Sequence, residues 1–426
     1  MRTLLLTNET PRPLDRRRER YLLRLSAMSL GAALVVAHLN MSLIGISPVD
    51  GLSPLEWVVR AALWMGPVGM LMVHSNGVIR ALAEPSTVWR TRTLLWAAAV
   101  CPLADLPLFA LLDTAVFLAA AALPAWYVTR VGWDRFLRVA AVTAGAITLV
   151  NLAVALAGVP EAISDTATGT NRLAGILTHP NQAGQVAGIA LLCAWHSHSR
   201  GSTWFARGLA AIGGVALLWS QSRTSVAAVA LAFGWIALHR SSRSKRVIGF
   251  LLGVVILGAV VYAGTDAVVS QLSRTGSTTE IVTLTGRTQL WATVMRLASE
   301  QPLTGYGLGN ERITDASTAG DVPWDANSAH SDWLNTYLAF GLPGLGLWIA
   351  MWISYVRRTT DNPDVVRDAF VVFAFVLGLT EVAIGPVFPS FVYYMLIGSL
   401  AAVYTRPRPT SSPLAVGGPG ATIIHR

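Results

Sequence analysis

The stretch RVAAVTAGAITLVNLAVALA, residues 138–157, carries no charge after Arg138. Coiled as an α-helix, its 20 residues would extend about 30 Å, the thickness of a bilayer's hydrocarbon core. Apolar runs of similar kind, a few of them shorter, occur at 26–46, 54–73, 90–104, 107–128, 181–196, 208–220, 224–239, 247–264, 333–356, 369–385 and 388–404. The composition agrees: 53% of the 426 residues are hydrophobic and 13% charged, against about a quarter charged in soluble domains. These observations predict an all-α integral membrane protein with about 12 transmembrane helices. They exclude a disordered chain, a soluble multidomain enzyme and a coiled coil.

The organisation expected along the chain follows. Residues 1–25 form a basic cytoplasmic segment, with Arg16, Arg17, Arg18, Arg20 and Arg24. Helices 1–9 fill 26–264. An extracytoplasmic loop carrying short helices spans 265–332, helices 10–12 fill 333–404, and 405–426 is a Pro/Gly/Ser-rich cytoplasmic tail expected to be disordered. The first apolar run ends in Ser47-Pro48-Val49-Asp50 without a small-x-small cleavage signal, so it reads as an anchor.

Charge placement sets the orientation. With both termini inside, 25 of the 32 Lys and Arg residues fall in inside segments, Arg90 among them. The seven outside are Arg60, Arg172, Arg223, Arg274, Arg287, Arg296 and Arg312. That bias is the positive-inside rule, and it explains the net charge of +9 without nucleic acid. The expected protein crosses its membrane many times. Cys101 and Cys193 lie in apolar runs, which argues against a disulfide framework.

Topology disfavours outside arginines, so these are informative. Arg223, in Ser220-Gln221-Ser222-Arg223-Thr224-Ser225, lies in the outer hairpin between two spans. It reads either as a snorkelling arginine or as an anion ligand. Arg287 opens a stretch whose Leu290, Trp291, Val294, Leu297 and Ala298 share one helical face. Such a helix is expected to lie on the outer membrane surface, with Arg287 at its anion-favouring N-terminus. Arg172 precedes Thr178-His179-Pro180-Asn181, and alone it reads as a solvated loop charge. His330, in Asn327-Ser328-Ala329-His330-Ser331-Asp332, ends the long loop and suits proton transfer near neutral pH; the plainer reading is an interfacial histidine. His179 is a weaker case of the same kind. The loop aspartates Asp315, Asp321, Asp325 and Asp332 show no metal-ligand spacing, so no metal and no cofactor are expected. Guanidinium groups match phosphate oxygens, and preplaced arginines could stabilise a departing diphosphate while a histidine deprotonates an attacking hydroxyl.

These residues resemble the bacterial O-antigen ligase and O-antigen polymerase superfamily. The similarity runs through Thr285-Gly286-Arg287, Leu290-Trp291, Gln301-Pro302-Leu303-Thr304-Gly305-Tyr306-Gly307-Leu308-Gly309, and His330-Ser331 followed after nine residues by Gly341-Leu342-Pro343-Gly344. Ser222-Arg223-Thr224 and Arg172 with His179-Pro180-Asn181 match two further positions, so the likeness covers about 170–350. The resemblance implies metal-independent, inverting transfer of a glycan from an undecaprenyl-diphosphate carrier to a hydroxyl acceptor, whether lipid, glycan or protein. It implies that Arg172, Arg223 and Arg287 hold the diphosphate, with Arg223, Arg287 and His330 catalytic and His330 as base or acceptor guide. Asn181 is expected to support its helix. A polysaccharide polymerase of the same superfamily is the nearest alternative, and a transporter or flippase of lipid-linked glycans is the non-enzyme one. A transporter should carry polar groups at midplane; Arg60 and Asp105 are the main exceptions noted, and both read as outer-end residues.

Overall fold

A computed structural model describes residues 27–28, 30–32, 88–165, 171–177, 179–239, 287–308, 311–322, 326, 328–359, 363–382 and 390–404. The spans expected at 54–73 and 247–264, most of 26–46, both terminal segments, Arg60 and Arg274 lie outside the described residues. The nine remaining apolar stretches coincide with helices. We number these and two loop helices as α1 Val88–Val100, α2 Pro107–Val131, α3 Trp133–Leu156, α4 Pro180–Ser199, α5 Thr203–Ser220, α6 Arg223–Leu238, α7 Arg287–Glu300, α8 Arg312–Thr318, α9 Asp332–Thr359, α10 Val365–Thr380 and α11 Phe391–Tyr404. By length and composition α2 and α3 could each cross a bilayer, as could the α9 stretch were it unbroken.

Local chemistry explains the ends. Pro107 and Pro180 open α2 and α4, where a missing N–H costs nothing. Gly132, at φ 104°, makes the joint between α2 and α3. The α5–α6 turn has Gln221 in the left-handed region, and Ser222 caps α6 by accepting from the Ser225 amide. Helix α4 passes so close to that turn that a β-carbon on Gly184 would lie 2.6 Å from Ser222 Cβ. Within the bundle α4 packs on α3, α5 and α6, α10 packs on α6 and α11, and α1 packs on α2 and α9.

Two expectations need correction. The fold is not purely helical among the described residues: Ile163–Asp165 (β1) and Asn171–Leu173 (β2) pair antiparallel, with Ser164 opposite Arg172. The span expected at 333–356 is interrupted at Gly341, where φ is 66° and ψ −171°, a combination only glycine adopts readily. Trp333 stacks on Trp352 with ring centroids 6.5 Å apart. Along a straight helix these residues would stand about 28 Å apart. The halves 332–340 and 342–359 therefore fold back on each other as a helical hairpin with Gly341 at its tip.

The turn at 301–307 builds that tip. The amides of Tyr306 and Gly307 donate to the carbonyls of Leu338 and Ala339, and the Leu342 amide donates to Pro302. Trp96 Nε1 of α1 donates to the Phe340 carbonyl at 2.9 Å. The carbonyls orphaned by the break are thus satisfied by distant donors. A β-carbon on Gly341 would sit 2.5 Å from the Leu303 backbone, and one on Gly305 2.5 Å from the Ala339 backbone. Gly341→Ala should therefore cost about 2–4 kcal/mol, read as a lower thermal midpoint of the purified protein. Gly346→Ala is the control, because nothing lies within 4 Å of its added carbon and alanine favours helix.

The amphipathic α7 also differs from expectation. Its apolar face does not meet lipid. Leu290, Val294, Leu297 and Ala298 pack with Tyr306, Ile313, Ala316, Tyr337 and Leu338 into a second core beside α9. Residues between Tyr306 and Leu338 cover the stripe. Arg312 of α8 forms a two-pronged pair with Asp105, both contacts at 2.7 Å, tying the loop to the turn before α2.

Candidate active site

The first residue beyond α10 is Glu381. The expected span 369–385 ends early as a helix, at Thr380, and Glu381 turns into extended backbone. Its carboxylate is the centre of a polar cluster. Arg287 Nη2 donates to Oε1 at 2.6 Å, and Asn181 Nδ2 donates to the same oxygen at 2.8 Å. His330 Nδ1 lies 3.6 Å from Oε2. Arg287 Nη1 also donates to the Thr380 carbonyl. Three separate parts of the chain, α4, α7 and the loop before α9, thus converge on the carboxylate at the end of α10.

Exposure divides the roles. The Glu381 side chain is 6% exposed, whereas those of Arg287 and His330 are 16% and 25% exposed. A ligand could reach the arginine and the histidine but hardly the carboxylate. Burial by itself would raise the Glu381 pKa. The adjacent His330 and Arg287 outweigh it and hold the carboxyl at about 2.

His330 occupies the left-handed region with φ 46°, unusual for a residue with a side chain. The preceding Ala329 carbonyl accepts from Trp291 Nε1 at 2.9 Å, pinning the loop to α7. The first residues of α9 follow immediately, so His330 sits at the base of the helical hairpin.

Arg172 reaches the cluster through Asn181. Its Nη2 donates to Asn181 Oδ1 at 2.8 Å and its Nε to the Ser220 carbonyl at 3.0 Å. At 3% exposure it is not a solvated loop charge, because β2 carries it under the α5–α6 turn. Asn181 correspondingly does more than support α4: its amide bridges Arg172 to Glu381. His179 is the N-cap of α4, its Nδ1 accepting from the Asn181 amide. Arg223, half-buried, is the first residue of α6. The next residue, Thr224, shares a 3.1 Å hydroxyl contact with Thr380, which ties this turn to the residue before Glu381. The structure therefore joins Arg172, Arg287 and His330 in one network and places Arg223 in the adjoining turn.

The sequence reading missed Glu381. It is the one charged residue in 369–385, and an ionisable group in an apolar run is a site signal by default.

Residues 208–349 match the family model for O-antigen ligase. An O-antigen ligase of Pseudomonas aeruginosa is 28% identical over 182 residues, covering 41% of this chain and 40% of that protein. Over these stretches the chain is similar to O-antigen ligases. The chain spans about 40% of the length of the curated relative it matches. The segment matched by the family model includes Arg223, Arg287 and His330, while Arg172, Asn181 and Glu381 lie outside it. No solved structure matches the chain.

Proposed function

We propose that the protein transfers a glycan from an undecaprenyl-diphosphate carrier to a hydroxyl acceptor at the outer face of the cytoplasmic membrane, as an O-antigen ligase does. The observation that carries this reading is the pairing of accessible Arg287 and accessible His330 on one buried carboxylate.

The chemistry follows from that pairing. With Nδ1 toward Glu381, the opposite nitrogen, Nε2, takes the proton of the acceptor hydroxyl. The hydroxyl oxygen then bonds to the anomeric carbon from the face opposite the diphosphate. The bond from that carbon to the diphosphate oxygen breaks, the oxygen keeps the electron pair, and the configuration inverts. Arg287 and Arg223 stabilise the growing negative charge. Glu381 stabilises the positive charge gained by His330, as a carboxylate does in a hydrolase triad. Arg172 acts one step back, by holding Asn181 against Glu381.

No step in this scheme uses a metal ion. Purified protein given lipid-linked donor and hydroxyl acceptor should therefore form product at an unchanged rate after exhaustive chelation. Loss of product restored by a divalent cation would overturn the scheme. A wild-type protein that forms no glycosyl product from any lipid-linked donor would overturn the function itself.

A further inference from the structure

Arg90 was counted from sequence among the inside loop charges, yet the structure buries it in the bundle at 3% exposure. Its guanidinium stands 4.9 Å from the centroid of the Tyr393 ring, 5.2 Å from that of Trp348 and 5.8 Å from that of Phe117. Its Nε faces the Tyr393 hydroxyl at 3.4 Å. Among the described residues it makes no ion pair. Ring faces offset only about 2 kcal/mol or so of a buried cation's desolvation, and the full cost of burying an unpaired charge is several times larger. Arg90 calls for a polar partner.

A cavity of about 20 Å3 adjoins it, with Arg90 on one wall and Asp332, Asn335 and Thr336 on another. This is room for one water molecule, which needs about 10–15 Å3. The walls supply the hydrogen-bonding groups that a water requires. Helix α1 packs on α9, with Trp96 on the Phe340 carbonyl at the tip and Arg90 lining the same cavity as Asp332. Asp332 also abuts α10: a β-carbon on Gly378 would lie 2.7 Å from its Oδ2.

We infer that Arg90 is a positioning residue. Through water in this cavity it holds Asp332, and thereby fixes the 332–340 segment and the His330 that precedes it. The inference rests on the reading of His330 as the base, but its test has an arm that does not.

The test is a cycle of Arg90→Gln, Asp332→Asn and the double variant in the full chain, purified in detergent. The readouts are amide hydrogen exchange across 328–340 and the kcat and KM of transfer. Arg90→Gln should raise exchange in 328–340 by about tenfold or more, with α3 to α5 unchanged. It should lower kcat by about tenfold with donor KM within about twofold. The double variant should be no worse than Arg90→Gln alone, because the two side chains act as one unit. Arg90→Lys, which keeps the charge, should recover most of the exchange protection, and it serves as the test if Arg90→Gln does not accumulate. Unchanged exchange in Arg90→Gln, losses that multiply in the double variant, or no recovery in Arg90→Lys would each overturn the inference. If the wild type shows no transfer, the proposed function falls while the exchange cycle still decides the role of Arg90.

Discussion

His330→Ala is expected to lower glycan transfer by about 100- to 10,000-fold while the protein still accumulates in the membrane. That range is what removal of a positioned proton acceptor costs. Accumulation should persist because His330 is a quarter exposed, so truncation opens no enclosed cavity. The 332–340 segment would still be anchored by Trp96, by the Tyr306 and Gly307 amides and by the core beneath α7. His330→Gln sharpens the test. Glutamine can still donate to Glu381, but it cannot carry a proton away, so it should be nearly as inactive as alanine. Measuring transfer by purified protein, normalised to folded protein, checks both; near-normal transfer by either variant removes His330 from the chemistry.

The second large effect is expected at Glu381. Glu381→Ala leaves Arg287 with half its anchoring, Asn181 with an unmet donor and His330 without its counter-charge. Breaking a buried pair in this way costs about 3–5 kcal/mol, which should appear as a lower thermal midpoint together with loss of transfer. Glu381→Gln keeps the shape and removes the charge. It should hold more of the stability, yet lose about hundredfold or more in kcat, because the imidazolium formed during transfer goes uncompensated. The pH behaviour follows from the same group. Its folded pKa of about 2 lies below the ordinary 4.5. The stability it contributes is complete above about 4.5 and drains away as pH falls toward 2. A pH–rate profile between 5 and 9 should therefore contain no step from Glu381. Acid unfolding of Glu381→Gln should be less steep than that of the wild type across 4.5 to 2.

Helix placement was largely legible in the sequence, because hydropathy runs such as 138–157 and 107–128 need no distant partner to declare themselves. The motif glycines were legible as positions, but their purpose was not. Gly341 and Gly305 matter because two segments more than thirty residues apart interlock at backbone distance. A period-based reading of 333–356 instead sees one continuous helix, since the residues on both sides of Gly341 are apolar. The fate of the α7 stripe was undecidable for a similar reason. An apolar helical face fits a membrane surface as well as it fits a protein core, and the residues that cover it come from 306–338.

The site shows the same division. Arg223 and Arg287 stood out because their charges contradicted their topology, and His330 because it ends the long loop with a side chain suited to proton transfer. Glu381 did not, because attention to loop residues passed over a single acid inside an apolar run. The burial of Arg172 depends on the Ser220 carbonyl, 48 positions away, and that of Arg90 on rings from α2, α9 and α11. Local sequence specifies neither.

The central claim is glycan transfer from a lipid diphosphate with His330 as base. It is tested most directly by extracting undecaprenyl-diphosphate-linked glycans from cells lacking the gene and from cells complemented with His330→Ala, and sizing them by mass spectrometry beside the wild type. The account predicts that both strains accumulate full-length lipid-linked chains, with none on the final acceptor. Accumulated single repeat units would instead make the protein a polymerase. Lipid-linked glycans identical to wild type in both strains, with the acceptor normally decorated, would contradict the account.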